Sequence, residues 1–157
     1  MMLETTKDIA VIVGTCIALI TFIKVVIEYT QQNTQKRADH YCELRNKFRD
    51  DEQFRSMFEL LEYDNENLAN IPFQQKQHLI GFYEDIALYV NAGLIKKEVA
   101  HYMFAYYALR CWDSKYFWND LSRESPYWSL FRNFVDQMKE VEKDLIDRKI
   151  NPAKFKL

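Results

Sequence analysis

The sequence predicts an all-α protein in which one N-terminal transmembrane helix continues into a cytoplasmic helical bundle. Three observations predict it. Ile9 to Ile23 carries no charged residue, and the apolar run continues past Lys24 through Val25, Val26 and Ile27. After Tyr29 apolar residues recur at helical spacing, sustained alternation is absent and β-branched residues are sparse. The three glycines and three prolines fall mostly where helices should begin or end.

The N-terminal segment comes first. Ile9 to Ile27 makes about 28 Å of helix, close to the hydrocarbon thickness of a bilayer. A signal peptide would be shorter in its apolar core and would end in small residues, where Phe22, Ile23, Val25 and Ile27 stand instead. An uncleaved anchor over residues 1–29 is expected, with residues 30–157 as the helical domain. Lys36, Arg37, Arg45, Lys47 and Arg49 follow the segment, whereas Lys7 precedes it beside Glu4 and Asp8. The bias of cations toward the cytoplasmic flank places the larger domain in the cytoplasm.

One face of this helix gathers Lys7, Ala10, Gly14, Ala18, Thr21, Val25 and Glu28, with Lys24 at its edge. Small residues four apart let helix backbones approach closely. With one membrane helix per chain, the expected partner is another copy or another protein. Thr21, Lys24 and Glu28 on the same face are candidate pore-lining residues. The plainer readings are a chance clustering of small residues and a Lys24 side chain that snorkels to the interface.

The remaining elements follow in order. The first helix is expected to continue through Thr30–Arg49, with Ala38, Tyr41, Leu44 and Phe48 on one face. Asp50–Asp51–Glu52 breaks it and caps a short helix bearing Phe54, Met57, Phe58 and Leu61. Tyr63–Ile71 reads as a loop, and Pro72 opens a helix over 73–92 with Leu79, Phe82 or Tyr83, Ile86 and Val90 inward. Gly93 sits where a C-cap belongs, and Gly81, inside the helical pattern, points to a close helix contact. Helix 97–112 is expected to bury Val99, Tyr102, Met103, Tyr106 and Leu109. A short helical piece over Ser114–Leu121 follows. Ser125–Pro126 opens the last helix, whose stripe is Tyr127, Phe131, Phe134, Met138, Val141 and Leu145, and Pro152 closes it.

Composition narrows the function. A net charge of −2 exerts no global pull on nucleic acid. Three scattered cysteines (Cys16, Cys42 and Cys111) do not make a disulfide framework. His40, His78 and His101 lie far apart, so no metal is expected, and the scarcity of glycine excludes a phosphate-cradling loop. Glu84–Asp85 is the most suggestive acidic pair, and a structural link to Arg110 or a tyrosine hydroxyl outweighs catalysis there. No cofactor and no enzymatic activity are expected. Aromatic residues make up 15% of the chain. Tyr116, Trp118, Tyr127 and Trp128 cluster around a predicted loop and are a candidate partner surface, although aromatics at helical spacing are usually core.

The run Ile9–Ile27, then Asn33-Thr-Gln-Lys-Arg-Ala, then Phe48-Arg-Asp-Asp-Glu-Gln-Phe-Arg, then Gly81-Phe-Tyr-Glu-Asp-Ile-Ala-Leu-Tyr-Val-Asn-Ala-Gly-Leu-Ile resembles a bacterial family of small single-pass membrane proteins with a helical domain of unknown function. The build is also similar to the membrane effectors of two-gene anti-phage systems such as the Hailong type. In those systems a nucleotidyltransferase partner makes a nucleic-acid signal that controls an oligomeric membrane channel. The resemblance implies a bacterial inner-membrane location, membrane lipid and further copies of the chain as partners, and a partner protein or nucleic-acid signal as regulator. It carries no catalytic motif. The expected function is a homo-oligomeric membrane effector acting as a regulated pore. The alternative is a membrane-tethered interaction module without pore activity.

Overall fold

The computed structural model describes the backbone of residues 2–148 and the side chains of residues 13–32 and 35–147. The described residues are helical, with no strand among them. The side chains of Lys7 and Ala10 and the expected stop at Pro152 lie outside them. By internal contacts the chain divides into two compact units that meet at Asp39 and His40.

The first helix, α1 (Met2–Asp50), runs through both units. In the first unit its described apolar side chains are exposed all round. Ile17 and Leu19, Ile20 and Phe22, and Val25 and Val26 are each at least about half open, although each pair points in different directions. One helix is therefore long and apolar enough to cross a membrane, and none of its apolar stretch is buried within the chain.

The second unit begins with the last turns of α1, which bury Leu44 and set the Phe48 ring 4.8 Å from Phe58 and 5.4 Å from Phe104. Asp51 then stops the helix. Its backbone turns extended and its carboxylate accepts the amides of Gln53 (2.9 Å) and Phe54 (3.2 Å), which caps α2 (Glu52–Glu62). The inward face of α2 is Phe54, Met57, Phe58 and Leu61, one helical stripe.

The expected loop 63–71 is partly ordered as a 3₁₀ turn, Glu66–Asn70, because the Asn65 side chain caps the Asn67 amide at 2.9 Å and Leu68 is drawn into the core. Pro72 leads into α3 (Phe73–Asn91), and here both Phe82 and Tyr83 are buried. Gly93, at φ +68°, ends α3 with two bonds, Gly93 N–H to Val90 C=O and Leu94 N–H to Tyr89 C=O. Gly81 does not mark a close contact. A Cβ there would meet no atom within 4 Å.

The next helical stretch is α4 (Lys97–Ala100), a π-helical turn (His101–Ala105) and α5 (Tyr106–Asp113). Its buried face is Val99, Ala100, Phe104, Ala105, Ala108 and Cys111 rather than the expected tyrosines. Small side chains let this helix lie close to its neighbours, while Tyr102 and Tyr106 turn outward and keep their hydroxyls polar. The expected helix over Ser114–Leu121 is instead a series of turns. Ser114 Oγ takes the amides of Tyr116 and Phe117, and Asn119 and Leu121 donate to carbonyls three residues back, so no α-helical ladder starts.

Ser125 caps a 3₁₀ turn, Pro126–Trp128, that feeds α6 (Ser129–Arg148). Phe131, Phe134, Val135, Met138 and Val141 of α6 face the core, while Tyr127, expected in that stripe, is 82% exposed. The main partner of α6 is α3, where Tyr83 stacks on Phe131 and Phe134.

Candidate functional site

Two groups of side chains are candidates for a functional role, one in each unit. In the first unit, Gly14 has open space where a Cβ would stand, and Ala18 is exposed. That stretch of helix surface is backbone and small side chain, able to receive another helix closely. Below it the Thr21 hydroxyl donates to the Ile17 carbonyl at 2.8 Å, so its polarity is met within its own helix. Lys24 and Glu28 then form an i,i+4 ion pair at 3.7 Å. A paired lysine and glutamate at the end of an apolar run lower the cost of holding either charge at membrane depth. Gly14, Ala18, Thr21, Lys24 and Glu28 belong to one described helix. Ala10 shares its backbone, with its side chain outside the described residues.

In the second unit the aromatic residues around 116–128 separate. Trp118 and Trp128 are buried, each 9% exposed, and Phe117, just before Trp118 in the chain, is fully buried. The indole N–H of Trp118 donates to the carbonyls of Cys111 (2.9 Å) and Trp112 (3.2 Å), which holds it inward. Tyr127 is 82% exposed and Tyr116 38%. As a surface, the cluster reduces to these two tyrosines, because the larger indole rings release more apolar area to the core.

The acidic pair on α3 finds other partners than expected. Asp85 lies 4.0 Å from Lys47 of α1. Glu84 is half-buried, and burial raises its carboxyl above the usual range, opposed by a bond from the Phe131 backbone. Arg110 instead serves α2. It donates to the Glu62 carbonyl oxygen at 2.8 Å and to the Tyr106 hydroxyl at 2.7 Å, and that hydroxyl donates to the Glu62 carboxylate. This network ties α5 to α2 and leaves no acid and base facing each other across a cleft there. Two grooves open on this unit, one of about 390 Å³ beside Leu88 and Tyr89 and one of about 610 Å³ beside Tyr102, Tyr106 and Leu145. Among the described residues no cluster of His, Cys, Asp and Glu is placed to hold a metal.

Lys76 is a buried charged residue that sequence reasoning passes over. It is fully buried on α3, and among the described residues its Nζ makes no hydrogen bond. Its signal was legible. Lys76 precedes Leu79 by three residues and Tyr83 by seven, so it shares their inward face.

Comparison of the chain with protein-family models, with curated proteins and with solved structures found no match.

Proposed function

We propose that this protein is a homo-oligomeric membrane effector, inserted through the first half of α1 and acting as a regulated pore. The observation that carries the reading is the surface of that helix. Its apolar side chains are exposed all round, and this apolar surface is interrupted on one face by Gly14, Ala18, Thr21, Lys24 and Glu28. Water would not tolerate the apolar surface, and lipid disfavours the polar stripe. Copies that turn the stripe toward one another satisfy both. The bilayer in this reading is the bacterial inner membrane, and the Lys and Arg residues after Tyr29 set the second unit in the cytoplasm. A partner protein or a nucleic-acid signal acting on that unit is the regulator that the family resemblance suggests.

The test is direct. Full-length protein purified in detergent is expected to run as a closed oligomer and to release dye from liposomes, and Gly14→Leu is expected to lower both. A monomer at every concentration, with liposomes that stay sealed, refutes the pore.

A membrane-tethered interaction module without pore activity is favoured by one observation of its own, the exposed rings of Tyr127 and Tyr116. Partner capture that survives Tyr116→Ala together with Tyr127→Ala counts against that reading.

A further inference from the structure

We infer that residues 117–121, the middle of the segment 114–125, form a cover that opens as a unit while the ends stay fastened, and that the buried amine of Lys76 beneath it keeps the open state within reach.

Several observations place the two together. Lys76 Nζ lies 5.8 Å from the centroid of the Phe117 ring, at the outer limit of a cation–π contact. That ring is fully buried and belongs to the cover. No acceptor among the described residues bonds the amine. Burial pulls its pKa below the ordinary lysine value, against the attraction of Asp120 on the cover. A buried donor without an acceptor carries most of its desolvation cost, and one aromatic face returns only part of it.

The middle of the segment lacks an α-helical ladder. It is fastened near its ends, by Asp64 accepting the Ser114 hydroxyl at 2.6 Å and by Arg123 donating to the Trp112 carbonyl at 2.9 Å. Between these points the Trp118 indole N–H is the side-chain bond that holds it inward. Lifting the middle breaks that bond and removes Phe117 from the core, which opposes opening. It also hydrates the amine of Lys76, which favours opening. Local openings of this kind occur below the free energy of global unfolding where burial is least well compensated. In the open state Phe117 and Trp118 join Tyr116 and Tyr127 as one accessible aromatic surface. The cover thus conceals apolar area that the closed protein does not show.

The experiment uses the full-length protein in detergent. Hydrogen exchange read by mass spectrometry is expected to show amides 117–121 exchanging faster than amides 131–141 of α6. Acetylation of Lys76 by an N-hydroxysuccinimide ester should follow the openings of 117–121 and not those of α6. Lys76→Met is expected to slow exchange of 117–121 about tenfold while α6 keeps its rate. The inference is overturned if Lys76 is labelled only as slowly as α6 opens, or if Lys76→Met leaves 117–121 unchanged or faster. The labelling arm needs no variant, so it decides the matter even if Lys76→Met does not fold.

Discussion

Replacing Asp64 tests how the irregular segments of the second unit are held. Asp64 has φ +46°, the left-handed region that Asp tolerates better than most side chains, and Ala poorly. Its carboxylate accepts the Ser114 hydroxyl at 2.6 Å and the Lys115 amide at 3.2 Å, across 50 residues of chain. Ser114 is itself 6% exposed, so losing the acceptor strands a buried hydroxyl. A hydrogen bond to a charged group contributes roughly 1.5–3 kcal/mol. Forcing Ala into the left-handed region adds about 1 kcal/mol more, a strain that Gly does not feel. Asp64→Ala is therefore expected to cost about 2.5–4 kcal/mol and Asp64→Gly about 1.5–3, while Asp64→Asn, which keeps one acceptor oxygen, should cost about 1. All three tryptophans lie in the second unit, so urea unfolding followed by their fluorescence in detergent reports it. The double variant Asp64→Ala, Ser114→Ala should show a coupling of about 1.5 kcal/mol or more. Equal losses for Ala and Gly would refute the strain argument, and zero coupling would refute the hydrogen bond as the source.

Other expectations follow from the same reasoning. Gly81→Ala should raise stability by about 0.5–1 kcal/mol in the same urea assay, because the position is helical and a Cβ meets no atom. Gly93→Ala should lower it by about 1 kcal/mol, because φ +68° disfavours any side chain. Stability should fall as the pH rises above about 9. Burial raises the Cys111 thiol and the Tyr83 hydroxyl well above their ordinary values, so only the unfolded chain releases these protons there. Cys111→Ala should flatten the first part of that slope in a pH series of urea melts, and an unchanged slope would count against the assignment. In liposomes, Lys24→Met with Glu28→Leu should alter dye release if the stripe borders a conduit, whereas a pure anchor would be indifferent to the exchange.

Much of this architecture was written locally. Asp51, Pro72, Gly93 and Ser125 each do their work within a few residues, through a side-chain cap, a fixed φ or a left-handed turn, and their positions were legible from spacing alone. The stripe Phe54, Met57, Phe58 and Leu61 was equally plain, because a short amphipathic helix has one way to bury its apolar side. On α4 and α5 the same logic placed Val99, Met103 and Leu109 against the core correctly but put Tyr102 and Tyr106 there as well. Periodicity cannot tell a tyrosine whose ring is packed from one whose hydroxyl reaches solvent, nor see that Ala100 and Ala108 are small enough to bring helices together. Ser114–Leu121 misled for a related reason. Its amides were captured by Ser114 Oγ, and Asp64 reached that serine from a distant part of the chain.

The sequence by itself determined that the chain is helical, that its first long helix is apolar enough for a bilayer, and where most helices start and stop. Those properties depend on neighbours one or two turns away. Only the tertiary structure decided that Trp118 and Trp128 belong to the core while Tyr127 does not, that Arg110 serves Glu62 rather than the Glu84–Asp85 pair, and that Lys76 lies beneath Phe117 without an acceptor. Each of those depends on which residues, far apart in the chain, compete for the same buried volume, and local pattern does not specify the winner.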